Sequence, residues 1–286
     1  MRIERKKDSG IIMKIKADYH VHSSFSGDSQ TPMESMVEKA VSLGLTRICF
    51  TDHLDYDYPN EYLDGGRPFE FNIETYFNKI RTLRITYQKD IKILIGIELG
   101  VRPYLAPRLN KLVESYPFDF VIASSHLIGA YDPYFPDYWK SIYWDGDTGI
   151  HQYFDSIIEN VEAFTNFDVY GHLDYVVRYI PDKDFCYEPE KYQEHIDRLL
   201  KAIIKAGRGI EVNTAGLKYG LPFAHPKEEL LKRFFALGGK YITIGSDAHK
   251  SEHLCYDFEK EANILEQMGI TQYAVFEQRK PFFEKI

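Results

Sequence analysis

Asp18-Tyr19-His20-Val21-His22 closes an apolar run that begins at Met13, and the rest of the chain is organised around it. In an extended strand, side chains two positions apart lie on one face. His20 and His22 therefore point the same way and Val21 the other. Two imidazoles this close repel when both are charged. A divalent metal removes the conflict, because it binds each ring in its neutral form. A lone H-x-H is more often a surface pair or two satisfied histidines. Here comparable residues return wherever a later strand should end.

Strand-like runs recur at 15–20, 46–51, 91–98, 118–125, 167–172, 209–213 and 241–247, and an eighth, shorter run at 272–277 has no helix after it. Amphipathic helical windows lie between them. Thr31-Pro32-Met33-Glu34 reads as a capping box, with Thr at the N-cap, Pro at the first helical position and Glu at the third. A later helix opens at His225-Pro226 and carries Leu230, Leu231, Phe234 and Phe235 at helical spacing. Gly44, Gly207, Gly238 and Gly269 stand where helices should stop in a left-handed residue before the next strand. Repeated helix–glycine–strand units predict a parallel sheet with helical crossovers. Seven or eight such units predict a closed α/β barrel, with an open doubly wound sheet as the alternative. No G-x-G-x-x-G follows the first strand, so a dinucleotide fold lacks its fingerprint.

The barrel explains where the polar residues fall. His20 and His22, Asp52-His53, Glu98, His126, His172, Asn213 and Asp247-Ala248-His249 all sit at or just past strand ends, which converge on one face of such a barrel. Six of the ten histidines belong to this set. Glu98 ends the apolar run Ile93-Leu94-Ile95-Gly96-Ile97, and a carboxylate buried there needs a cation or several donors. A salt bridge to Arg102 is its structural alternative. Asp28, in a serine-rich segment, reads equally as a ligand or a turn residue. His151, His195, His225 and His253 fall in helical or capping contexts and carry no assigned chemistry. Nitrogen and oxygen ligands without a nearby cysteine suit Zn, Mn or Fe, and their number exceeds the needs of one ion. A multinuclear centre generates hydroxide near neutral pH and clamps the attacking and leaving oxygens of a phosphoryl transfer.

Composition narrows the class further. The chain has 286 residues, with 35 Lys plus Arg against 43 Asp plus Glu and a formal charge of −8. That balance argues against nucleic-acid or anionic-membrane partners. Cys49, Cys186 and Cys255 are widely separated and odd in number, as expected of reduced thiols in a cytoplasmic protein. No run approaches the roughly 20 apolar residues needed to cross a bilayer. Residues 1–12 read as an extension, with Met13 an alternative start, and 13–286 as one barrel domain.

The motif series Asp18-Tyr19-His20-Val21-His22-Ser23, Thr51-Asp52-His53, Glu98, His126, His172 and Gly245-Ser246-Asp247-Ala248-His249 resembles that of the PHP (polymerase and histidinol phosphatase) superfamily. The segments 118–126, Tyr170-Gly171-His172-Leu173-Asp174-Tyr175 and Glu211-Val212-Asn213-Thr214 are similar to its stand-alone histidinol-phosphatases. The resemblance implies a distorted (β/α)7 barrel, a trinuclear centre of divalent transition metals with Zn first and Mn or Fe as alternatives, and a small phosphorylated amino alcohol as substrate. Carried over by position, His20, His22, Glu98 and Asp247 hold one metal. Glu98 bridges to a second, completed by His126 and His172. Asp28, His53 and His249 hold the third. Arg178 matches a phosphate-binding arginine. Lys218 stands near Asn213 where relatives place a second arginine, and both join Arg178 on the substrate side. Glu98, Asp247 and Arg178 then form the catalytic set for hydrolysis of histidinol phosphate by a metal-bridging hydroxide. Asp52, a metal-bound water and Asp247 are all open as the leaving-group acid. Asp55, Asp57 and Asp174 are open as partners of the substrate ammonium. A phosphoesterase for another small ester, a nucleotide or a phosphodiester is the alternative activity, and a non-catalytic metal-binding module the weaker one. The aromatic stretch from Tyr131 to Trp144 reads as a lid over the catalytic face, or as a small packed loop.

Overall fold

The computed structural model describes residues 13–63 and 68–286, so the expected extension at 1–12 lies outside the described residues. Parallel strands β1 (Ala17–Val21), β2 (Arg47–Phe50), β4 (Lys92–Gly100), β5 (Phe120–Ser124), β6 (Val169–Tyr170), β7 (Gly209–Asn213) and β8 (Ile242–Gly245) pair in that order. The short β3 (His53–Leu54) follows β2 and also pairs with β4, placing His53 opposite Glu98. The ends of β8 and β1 meet through Asp247 N–H to His20 O (2.8 Å) and His22 N–H to Ala248 O (3.0 Å). The result is a nearly closed barrel of seven parallel strands, as the alternating pattern predicted.

Crossovers are made by α1 (Met33–Leu43), α2 (Ile73–Thr86), α3 (Ala106–Ser115), α4 (Pro136–Ser141), α5 (Gly146–Ala163), α6 (Gln193–Lys205), α7 (Ala215–Lys218) and α8 (Glu228–Ala236), with α9 (Phe258–Gln267) after β8. Their buried residues keep helical spacing, as Ile196, Leu199, Leu200 and Ile203 do on α6. Gly44, Gly207, Gly238 and Gly269 all adopt positive φ where the helices end. Among the described residues, no helix is long and apolar enough to cross a membrane.

Three details differ from expectation. Thr31 does not cap α1: Pro32 is the N-cap, without a side-chain bond, while the Thr31 hydroxyl donates to His249 O at 2.9 Å. The hydroxyl is thereby spent on tying the β1–α1 loop to the far end of the chain. The run 272–277 becomes β9 (Gln272–Glu277), which forms an antiparallel hairpin with β10 (Lys280–Lys285) and not an eighth barrel strand. Its Phe276 exchanges two backbone bonds with the Tyr19 hydroxyl, each 2.9 Å, and its ring packs 5.1 Å from Phe120. The strand turns back into this hairpin and covers barrel side chains instead. β6 keeps only two of its expected residues: the Gly171 N–H still donates to Ala123 O at 2.9 Å, but His172 turns out of the strand with a positive φ, and its N–H donates to Glu211.

Candidate metal centre

The strand ends bring every proposed ligand to one place. His20, His22 and Glu98 have no exposed surface. Glu98 stands between two groups. Its Oε1 accepts from Ser124 Oγ (2.7 Å) and faces His126 Nε2 (3.1 Å) and His172 Nε2 (2.9 Å). Its Oε2 faces His20 Nε2 (3.2 Å), His22 Nε2 (3.5 Å) and His53 Nδ1 (2.9 Å). Asp247 Oδ1 lies 3.2 Å from His22 Nε2 and 3.8 Å from His20 Nε2. Asp28, 43 % exposed at the rim, reaches His249 Nε2 at 3.0 Å and His53 Nε2 at 3.7 Å. The alternative partner of Glu98 is absent, because Arg102 donates instead to the Tyr56 and Asp57 carbonyls.

These side chains fit divalent cations. His20 Nε2, His22 Nε2, His53 Nδ1, His249 Nε2 and Glu98 Oε2 are buried without a hydrogen-bond partner, and buried polar atoms left so are costly. Ligand atoms of His20, His22 and Glu98 come within 4.8 Å of one another, as do those of Glu98, His126 and His172, and those of His22, His53 and His249. The rings of His22 and His249 stack with centroids 4.0 Å apart, an arrangement two imidazolium cations would resist. Burial, with His249 and His53 alongside, holds His22 well below the ordinary histidine range. Burial would raise the Glu98 carboxyl, but His20, His53 and His126 together hold it well below its usual range.

Behind the ligands lies a ring of acceptors. His20 Nδ1 meets Glu211 Oε1 at 2.5 Å, and His126 Nδ1 meets Asp55 Oδ2 at 2.6 Å. His22 Nδ1 bonds Ser26 Oγ (3.0 Å), which donates in turn to Asp52 (2.8 Å). Such outer partners fix ring orientation and tautomer. Asp52 is thus fully buried and held by Ser23 and Ser26, away from the cavity, which removes it as a leaving-group acid. Sequence reasoning gave Glu211 no role and Asp55 only an ammonium role. Asp55 repeats the i, i+2 relation to His53, and that was the available signal.

In front of the ligands opens a cavity of about 620 Å³. Arg178 lines it from the turn Tyr175–Tyr179, its guanidinium carbon 4.7 Å from the Tyr175 and Tyr179 ring centroids and 4.2 Å from Tyr219. Its Nη2 donates to the Tyr179 hydroxyl, its Nε and Nη1 are buried without a partner, and among the described residues no carboxylate pairs with it. Lys218 Nζ donates to Asp247 O at 3.1 Å, and burial lowers its pKa. Asn213 is fully buried and does not line the cavity; its amide serves Glu211 (3.1 Å) and the N–H of Ala215 (2.9 Å).

The cavity wall also carries an acidic and aromatic group. Asp132, 8 % exposed, accepts from the Tyr58 hydroxyl and from the N–H of Tyr134 at 2.8 Å. Tyr62 stacks on Phe135 at 4.6 Å. No sequence signal marked Asp132, which lies in the irregular segment after β5. Of the three aspartates considered for the ammonium, Asp57 is half exposed and near Arg108, and Asp174 is buried against His225 Nδ1 at 2.5 Å; neither lines the cavity. The aromatic stretch is divided: Tyr138 and Trp139 are core, Tyr134 and Phe135 are cavity wall, and Tyr143 is exposed.

Residues 18–215 match the model of the PHP domain. A histidinol-phosphatase of Lactococcus lactis subsp. lactis (strain IL1403) is 34% identical over 272 residues, covering 93% of this chain and 96% of that protein. A histidinol-phosphatase of Saccharomyces cerevisiae is 26% identical over 298 residues, covering 85% and 87%. A crystal structure of histidinol phosphate phosphatase from Lactococcus lactis, complexed with Zn, L-histidinol and phosphate, superposes with a TM-score of 0.80 at 32% identity, covering 93% of this chain and 98% of that one.

Proposed function

The chain belongs to the PHP-domain family, and from that premise we infer that it is a histidinol-phosphatase, hydrolysing L-histidinol phosphate to L-histidinol and phosphate. The observation that carries this is the lining of one cavity. The Arg178 guanidinium, the His/carboxylate cluster and Asp132 with its aromatic neighbours all face it. A substrate with a phosphate dianion, an ammonium and an imidazole finds a complement for each group there.

In this reading three divalent ions, zinc foremost, are held by His20, His22, Glu98 and Asp247; by Glu98, His126 and His172; and by Asp28, His53 and His249. When bound, such ions supply Lewis-acid charge at phosphorus and lower the pKa of coordinated water. The protein's own residues do the rest. Arg178 presents a planar fork to the phosphoryl oxygens, and its three tyrosines hold that fork flat and exclude water from its faces. Ser124 and the histidine rings fix the Glu98 carboxylate with Oε1 toward His126 and His172 and Oε2 toward His20, so its orientation is set before substrate arrives and it would be placed to serve two of the ions. Asp132 takes the ammonium, and the neighbouring rings of Tyr58, Phe135 and Tyr134 offer faces to the imidazole.

A metal-replete assay on a panel of esters tests the assignment. kcat/KM for histidinol phosphate is expected to exceed that for p-nitrophenyl phosphate and glycerol phosphate by at least about 10²-fold, with bis-p-nitrophenyl phosphate lower still. Ratios near one across the monoesters would overturn it.

A further inference from the structure

Glu211 lies behind the cluster on β7, 1 % exposed and out of reach of the cavity. Its Oε1 is 2.5 Å from His20 Nδ1. Its Oε2 accepts from the backbone N–H of His172 and from Asn213 Nδ2, both at 3.1 Å. One carboxylate thus joins the ends of β1, β6 and β7. Space for it is reserved by glycine: a Cβ on Gly245 would lie 2.7 Å from Glu211 Oε1 and 2.3 Å from His20 Cβ. A side chain at Gly245 would force Glu211 and His20 apart.

Glu211 accepts from two donors at Oε2, and its Oε1 faces His20 Nδ1, so that nitrogen is placed to donate its proton to a carboxylate oxygen. The other nitrogen, Nε2, has no hydrogen-bond partner and lies 3.2 Å from Glu98 Oε2. We propose that Glu211 is a positioning residue that holds His20 as the Nδ1–H tautomer and so keeps the Nε2 lone pair aimed into the cluster as a zinc ligand. The proposal rests on the metal-centre reading above.

The surroundings make the isosteric change Glu211→Gln diagnostic. Two donors, His172 N–H and Asn213 Nδ2, converge on Oε2 and require an acceptor there. A glutamine must therefore turn its carbonyl toward them and its NH2 toward His20 Nδ1. That nitrogen then has to accept, which moves the ring proton to Nε2, on the metal side. Shape is kept and the tautomer is inverted. A purely structural role predicts little effect from so conservative a change.

The test is zinc affinity of metal-free protein, read by competition with a chromophoric chelator, with the fold checked by circular dichroism. Glu211→Gln is expected to weaken at least one zinc by about 10- to 100-fold, the range for losing an outer partner of a histidine ligand. In a His20→Ala background the same change should cost less than about twofold, since its route through His20 is gone. Heteronuclear NMR of the zinc-loaded wild type gives a readout needing no variant: His20 should be ligated through Nε2 with Nδ1 protonated. Wild-type affinity in Glu211→Gln, an equal loss without His20, or ligation through Nδ1 would each overturn the proposal. Absence of zinc binding by the wild type would instead defeat the metal-centre reading itself.

Discussion

The guanidinium of Arg178 lies over the ring of Tyr219, 4.2 Å from its centroid, donates from Nη2 to the Tyr179 hydroxyl, and has no carboxylate partner among the described residues. A cation this buried is ordinarily paired. Three tyrosine faces offset part of the cost and leave two N–H edges free for an anion. Arg178→Lys keeps the charge but loses the fork and the stacking. It is expected to lower kcat/KM for histidinol phosphate by about 10²-fold while elemental analysis shows the same metal content. A value within threefold of the wild type would return Arg178 to a structural role.

Glu98 lies between the His20/His22 pair and the His126/His172 pair, one oxygen toward each. Glu98→Ala is expected to lose more than one ion per chain together with at least about 10³-fold in turnover, because one oxygen serves each group. Elemental analysis of the purified variant decides the point. Loss of a single ion with the rest retained would remove the bridging role.

The sequence marked the barrel and the inner ligands because both follow a local rule. Strands announce themselves by apolar runs, helix ends by glycine, and His20/His22 by period two. The contacts it hid are those joining distant segments through one atom pair. Glu211 and His20 are 191 residues apart, and Tyr58 and Asp132 are 74 apart. Thr31 shows the reverse failure, where a correct local cap motif lost to a tertiary acceptor, His249 O. β9 was visible as a strand, but its antiparallel partner was not, since Lys280-Pro281 reads as charged and proline-broken.

Away from the site, Glu261 on α9 is 3 % exposed, and burial, with Glu228 nearby, raises its pKa from 4.5 to about 7. Below the unfolded value both states hold the proton. Between 4.5 and 7 the native state holds a proton that the unfolded chain has released, so stability falls as pH rises through this window. The total is roughly 3 kcal/mol at most. Glu261→Gln should therefore be close to the wild type at pH 4.5 and more stable at pH 8, by about 1–3 kcal/mol in urea melts. A difference that does not grow with pH would show that Glu261 ionises freely in the fold.

Asp132 carries the substrate-specific part of the reading. Its carboxylate is fixed by Tyr58 and Tyr134 on the wall of the cavity, where it can meet the ammonium of an amino alcohol phosphate. Asp132→Asn keeps the size and one of the two acceptors, but removes the charge. A charge-assisted hydrogen bond to an ammonium contributes about 1.5–3 kcal/mol, or roughly 10- to 150-fold. p-Nitrophenyl phosphate has no ammonium, so its kcat/KM draws nothing from that contact. The preference for histidinol phosphate over p-nitrophenyl phosphate is thus expected to shrink by at least about 10-fold in the variant, mostly through the loss on histidinol phosphate. An equal fall for both esters would mean that Asp132 supports the wall of the cavity, and the ammonium would have to be sought at Asp55, which also lines it.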